Sequence, residues 1–222
     1  MTLVAIAVDP IQAFVSGIFE RPANATSLYV LAHGAGAGMR HAFMTDMATA
    51  LNARGVATLR YQFPYMEIGR GRPDPPVVAT ATVRAAVEHA WELAPDLPLF
   101  AGGKSFGGRM TSTAAATGLL DRVRGLAFLG FPLHQPKRPA RTRADHLARV
   151  TVPMLFLQGT RDDLAEIALI RQVVGELGSK ATIHELAEAN HAFAVPKRTG
   201  KTGQDIINDL ADTLATWMFR VR

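Results

Sequence analysis

LFAGGKSFGGRM, residues Leu99 to Met110, runs from an apolar stretch into four glycines that flank a single serine. Gly103-Lys104-Ser105-Phe106-Gly107 matches G-x-S-x-G, between a predicted strand over Leu99–Gly102 and a predicted helix over Phe106–Leu119. Three small residues recur by chance in roughly one chain in fifteen of this length, so the weight falls on placement. At a strand-to-helix elbow the central residue is forced into a strained backbone, and the residues two before and two after crowd the turn. Glycine at both positions relieves that crowding. The serine hydroxyl then stands above the carboxyl ends of the strands, where α/β proteins bind their ligands.

A serine hydroxyl is a weak nucleophile unless a base lies within hydrogen-bond reach and a third group orients that base. In an elbow of this kind the acid and then the histidine follow the serine along the chain. VPMLFLQGTRDDL places Asp162 and Asp163 in the loop after a buried strand, and AEANHAF places His191 after the last predicted strand. Asp162 is the preferred acid, because Asp163 is well placed to open the following helix as an N-terminal acid. His191 alone of the seven histidines comes after both the acid loop and the last strand.

Attack on a carbonyl also needs donors for the oxyanion. LYVLAHGAGAG ends a predicted strand at Ala32 and enters the glycine loop His33–Gly38. The amide of Ala35, with Gly36 as the alternative, and the amide of Phe106 are the expected donors. Arg60, Tyr61, Phe63, Pro64 and Tyr65 follow another strand and are expected either to line the cleft or to pack beneath it. Arg109 and Lys104 flank the nucleophile and face either an anionic substrate or solvent.

Outside these loops the pattern is that of an α/β protein. Apolar runs at Leu28–Ala32, Ala57–Tyr61, Leu99–Gly102, Gly125–Leu129, Met154–Gln158 and Thr182–Leu186 alternate with helical stretches. Continuous apolarity, rather than alternation, suits parallel strands covered on both faces. Helices are expected over His41–Arg54, Val77–Leu93, Asp163–Leu177 and Asp205–Arg220. Val4–Val8 and Gly17–Arg21 read as an antiparallel lead-in.

With 222 residues and 48% hydrophobic side chains, the chain is expected to fold as one domain over residues 1–222. That length leaves little room for an inserted lid. The absence of Cys excludes disulfides, thiolate metal sites and a cysteine nucleophile. No stretch is long and apolar enough to read as a membrane span, and the N-terminus makes a poor signal peptide, so the expectation is a soluble cytoplasmic protein.

Twenty-four Lys and Arg against 19 Asp and Glu give a net charge of +5, concentrated partly in KRPARTR at Lys137–Arg143. The run lacks interleaved aromatics and carries two prolines nearby, which argues for a solvated loop rather than a nucleic-acid surface. Gly103-Lys104-Ser105 could suggest a phosphate loop, but such a loop requires glycine where this chain has Pro98.

The chain resembles the small dienelactone-hydrolase-like α/β-hydrolases on four matched segments: HGAGAG at His33–Gly38, the elbow at Gly103–Gly107, GTRD at Gly159–Asp162, and His191 in ANHAF. GKSFGGR is similar to a branch related to testis-expressed hydrolase-like proteins and to a subunit of a nuclear acetyltransferase complex. The resemblance implies an α/β-hydrolase fold: a mostly parallel sheet of about eight strands, helices on both faces, no lid domain, and a Ser–Asp–His triad. Serine stands where dienelactone hydrolases carry cysteine, so their lactone specificity does not transfer. The expected activity is hydrolysis of a small acyl ester or thioester by Ser105, His191 and Asp162, with no metal or organic cofactor. The alternative is a catalytically silent interaction module on the same scaffold.

Overall fold

The computed structural model describes residues 1–9 and 12–222. Eight strands form one sheet: β1 (Thr2–Val8), β2 (Ala13–Glu20), β3 (Ser27–Ala32), β4 (Val56–Tyr61), β5 (Leu99–Lys104), β6 (Val123–Leu129), β7 (Met154–Gly159) and β8 (Ala181–Leu186). Their spatial order is β1-β2-β4-β3-β5-β6-β7-β8. β1, β2 and β4 pair antiparallel, and every pairing from β4 onward is parallel.

The helices are α1 (Ala42–Asn52), the one-turn α2 (Pro64–Glu67), α3 (Pro76–Leu93), α4 (Phe106–Ala115), α5 (Ile167–Leu177) and α6 (Gly203–Val221). Strands β3, β4 and β7 are buried along their whole length, as their unbroken apolar runs require when helices cover both faces. One core layer holds Ala79, Val83 and Val87 of α3, Met110 of α4 and Val173 of α5. The other layer holds Met44, Met47 and Leu51 of α1 with Leu210, Leu214 and Trp217 of α6.

Local chemistry sets the helix ends. α3 begins at Pro76, where a missing N–H is harmless, and stops before Pro95, which disfavours helical geometry in Ala94. α6 starts at Gly203, two residues before the expected Asp205. Thr202 caps it, and Asp205 reaches back to the Thr202 backbone to complete a capping box. α4 ends at Ala115 rather than Leu119. Gly118, at φ +74°, turns the chain so that Leu119 N–H donates to Ala114 O and Gly118 N–H to Ala115 O.

α5 begins at Ile167, four residues beyond the expected Asp163. The intervening backbone is held otherwise: Leu164 O accepts from the amides of Leu133 and His134. Strand β2 starts at Ala13, ahead of the expected Gly17, and pairs with β1 through seven residues. The connection Phe131–Asp145 leads into a 3-10 helix over Thr142–Arg149, anchored by buried Ala144 and Leu147. Within the basic run, Arg141 pairs with Glu176 and Arg143 donates to the carbonyl of His134. No helix among the described residues is long and apolar enough to cross a membrane.

The strand order reverses at β3, whose neighbours are β4 on one side and β5 on the other. Ala32 and Gly103 are partners in the β3–β5 ladder. The glycine loop leaving β3 and the elbow leaving β5 therefore emerge side by side at the switch point, where open α/β sheets form their binding crevice.

Candidate active site

Ser105 has φ +50° and ψ −113°, a conformation that costs a side-chain-bearing residue about 1–3 kcal/mol. The turn holds it there. Ser105 N–H donates to Leu129 O at 3.1 Å, and its own carbonyl accepts from Arg109 N. A Cβ on Gly103 would stand 2.3 Å from Ala32 O, and one on Gly107 2.6 Å from His33 O. Both obstacles are backbone atoms that cannot rotate away. The two motif glycines are thus needed for close approach of β3 and its loop to the elbow.

Three loops deliver side chains to the same point. Ser105 Oγ lies 2.8 Å from His191 Nε2, and His191 Nδ1 lies 2.8 Å from Asp162 Oδ2. An ionised Asp162 is an acceptor only, so Nδ1 carries the imidazole proton and Nε2 accepts from the serine hydroxyl. In that tautomer the imidazole is oriented to take the serine proton as the hydroxyl attacks.

Asp162 is held with its side chain fully buried. Its Oδ2 accepts from Gln158 Nε2 at 2.6 Å and its Oδ1 from Leu164 N at 2.8 Å. Gln158 is fixed in turn, because its Oε1 accepts from Phe131 N at 3.0 Å. Asp163 is exposed on the adjoining turn. His191 sits on a loop shaped by Asn190, whose Oδ1 accepts from the amides of both Ala192 and Ala194 at 3.0 Å. Gln158 and Asn190 escaped the sequence reading. Their only signal is an amide side chain at the end of an apolar strand and an Asn able to mimic a backbone turn.

The glycine loop is braced from below. His33 is buried, with Nδ1 2.8 Å from Gly34 O and Nε2 accepting from Phe63 N at 3.1 Å. Burial lowers its pKa to about 4, which keeps the ring neutral. Gly36 N–H donates to Tyr65 Oη at 3.0 Å. The Ala35 and Phe106 amides, by contrast, have no protein acceptor among the described residues.

The residues expected along the cleft are placed differently. Tyr61 and Phe63 have no exposed surface, and Tyr65 almost none. Phe63 packs edge-on against His33 and Phe106, at centroid distances of 5.0 and 5.3 Å, so these rings support the loop and the elbow from beneath. Arg60 is also buried. It bonds Glu20 at 2.8 Å and Thr45 Oγ1 at 2.9 Å, tying β4 to β2 and α1. Apolar neighbours and paired charges draw these side chains inward, leaving none for the cleft. Arg109, on the first turn of α4, is half-buried and does not reach the cavity wall.

That wall belongs to other residues. Ser105 and His191 open onto a cavity of about 330 Å³ lined by Ala37, Phe43, Met44 and Leu164, and of the two cations expected near the nucleophile Lys104 also lines it. A larger, open depression of about 770 Å³ lies at the opposite end of the sheet, near the first residues of β5 and β6. It is lined by Trp91, Leu97 and Arg122 and contains neither serine nor histidine. A second Ser–His contact, Ser112 Oγ to His146 Nε2 at 2.7 Å, joins α4 to the 3-10 helix. Ser112 is fully buried and donates to Arg109 O, and among the described residues no carboxylate bonds His146, so this pair acts as a packing contact.

The comparisons agree with the architecture. Residues 25–219 match the alpha/beta hydrolase domain family. A dienelactone hydrolase from Anabaena variabilis superposes with a TM-score of 0.79 at 19% identity, over 99% of this chain and 97% of that one. An alpha/beta serine hydrolase without a lid from Xanthomonas campestris gives 0.74 at 19%, over 99% and 94%. Est1E from Butyrivibrio proteoclasticus gives 0.74 at 15%, over 99% and 100%. At such identities the likeness to these structures is one of fold. The sheet order, the elbow at its switch point and the lidless layout are those of an α/β hydrolase. The chain belongs to the alpha/beta hydrolase family.

Proposed function

We propose that the chain works as one α/β-hydrolase unit, a serine hydrolase of small apolar acyl esters or thioesters. The observation that carries the reading is the continuous relay from Ser105 Oγ through His191 to Asp162, with both contacts at 2.8 Å. Ser105 attacks the acyl carbonyl while His191 Nε2 takes its proton. The amides of Ala35 and Phe106 stabilise the oxyanion, and His191 passes the proton to the departing alcohol or thiol. Water, activated by the same imidazole, then releases the acid and restores Ser105. Ala35 is favoured over Gly36 because the Gly36 amide is already engaged by Tyr65.

The cavity supports the substrate class. Phe43, Met44 and Leu164 offer an apolar wall beside the nucleophile, suited to a short acyl chain.

The test is covalent labelling with a fluorophosphonate, followed by an acyl-ester panel of graded chain length and charge. Wild type is labelled and hydrolyses short esters, whereas Ser105→Ala does neither. A folded wild type that stays unlabelled and inert overturns the proposal and favours a silent interaction module.

A further inference from the structure

Lys104 occupies the variable position just before the nucleophile, and its half-buried side chain folds back along the cavity wall onto the protein. Its Nζ donates to the backbone carbonyl of His191 at 2.6 Å. The ammonium also lies 5.0 Å from the centroid of Phe193 and 6.0 Å from that of Phe43. Room for it exists because residue 130 is glycine: a Cβ there would stand 3.0 Å from Nζ and 3.6 Å from both Asp162 Oδ2 and His191 Cε1. The amine therefore sits beside the Ser105–His191–Asp162 relay at the edge of the cavity, with one of its bonds given to the His191 carbonyl.

We propose that Lys104 is a positioning residue whose ammonium latches the His191 loop to the nucleophile elbow, fixing the imidazole against Ser105. The inference rests on the serine-hydrolase reading. The latch joins the two segments whose separation matters most: β5 supplies Ser105, and the loop after β8 supplies His191. A single charge-assisted bond bridges them at the wall of the cavity. Such bonds are roughly twice as strong as neutral ones. Displacement of a reacting group by about 1 Å can cost about 100-fold in rate.

Charge makes the latch sensitive to pH. Burial lowers the Lys104 pKa to about 8, with the nearby Asp162 carboxylate opposing that shift. Asp162, from the loop after β7, and His191, from the loop after β8, are the titratable groups facing it. His41, capping α1, lines the same cavity, while α1 otherwise presents Phe43 and the turn after β6 presents Gly130. Above pH 8 the neutral amine keeps a donor but loses the charge that strengthens the bond.

The experiment measures the rate of fluorophosphonate labelling from pH 6 to 10, corrected by Ser105→Ala, for wild type, Lys104→Met and Lys104→Gln. The wild-type rate is expected to fall by up to about 5-fold as pH passes roughly 8. Lys104→Met loses about 10- to 100-fold at neutral pH and shows no alkaline decline. Lys104→Gln, a neutral donor, lies between them and is likewise flat. With the short ester, the loss in Lys104→Met appears in kcat while KM holds. The wild-type profile needs no variant, so a poorly folded Lys104→Met leaves the test intact. A labelled wild type without the alkaline limb, or folded variants that react at the wild-type rate, overturns the latch alone. An unlabelled wild type overturns the hydrolase reading and the latch with it.

Discussion

Gln158 Nε2 and His191 Nδ1 meet at one atom, Asp162 Oδ2, at 2.6 and 2.8 Å. The glutamine thus anchors the carboxylate together with Leu164 N, and the oxygen of the same side-chain amide accepts from Phe131 N. Gln158→Leu keeps the volume but leaves Phe131 N–H and one lobe of a buried carboxylate without partners. A buried group stripped of its partner costs about 1–3 kcal/mol. Thermal or urea denaturation should show a loss of that size. kcat/KM for a short ester should fall about 10-fold, because Asp162 can then rotate away from the imidazole.

Two glycine-to-alanine changes are expected to move stability in opposite directions. Gly107→Ala drives a methyl to 2.6 Å from His33 O and 2.7 Å from the Ala32 Cβ, so β3 and the elbow must part. Overpacking of this kind costs about 1–3 kcal/mol or more, and here it also shifts Ser105. Gly175, exposed within α5 with nothing near its missing Cβ, has no such constraint. Gly175→Ala should raise stability by about 0.5–1 kcal/mol with activity unchanged, since alanine fits a helix interior better. Urea midpoints of the three proteins provide the check.

The contrast between those glycines shows how far local sequence determines this fold. Continuous apolar runs identify strands buried on both faces, and the glycines around Ser105 mark an elbow, because both patterns follow from local packing. Hydrophobicity alone does not say what a buried ring packs against. Tyr61, Phe63 and Tyr65 read equally well as cleft or core, and the choice depends on His33 and Phe106, which arrive from other strands. The start of α5 was hidden similarly. Asp163 has the chemistry of a helix opener, but Leu164 is captured by Leu133 and His134, thirty residues earlier in the chain. Lys104 reads equally well as facing an anionic substrate or solvent, and its bond to the His191 carbonyl depends on a loop nearly ninety residues further along the chain.

Acidification should destabilise the fold through two histidines. Burial lowers the pKa of His33 to about 4, and burial together with the charges of Arg109 and Arg149 does the same for His146. Both groups titrate near 6.5 in the unfolded chain, which therefore binds more protons between those values. Their contribution is fully present above pH 6.5 and is lost as pH falls toward 4. For His33, with no exposed surface, it amounts to about 3 kcal/mol; His146 is partly solvated and contributes less. Near pH 5.5 the pH dependence of unfolding free energy should correspond to roughly two protons, falling to about one in His33→Gln. Denaturant melts across pH 4.5–7 measure the slope. A wild-type slope that His33→Gln leaves unchanged would mean that His33 titrates in the folded state as it does in the unfolded chain, contrary to its acceptance of the Phe63 N–H.

Chain-length selectivity offers a test of the cavity itself. Ala37 lies on the cavity wall, and with Phe43, Met44 and Leu164 it bounds the space of about 330 Å³ beside Ser105. Ala37→Leu adds three carbons to that wall without altering Ser105, His191, Asp162 or the Ala35 amide. A short ester such as an acetyl ester should keep its kcat/KM within about 2-fold. The longest ester that wild type accepts should lose about 10-fold or more, since each methylene excluded from an apolar pocket is worth about 1–3 kcal/mol in discrimination. The reading fails if both esters lose activity equally, because Ala37→Leu would then disturb the loop rather than shorten the acyl site. It fails differently if neither changes, which would place the acyl chain outside this cavity and leave Phe43 and Leu164 as packing alone.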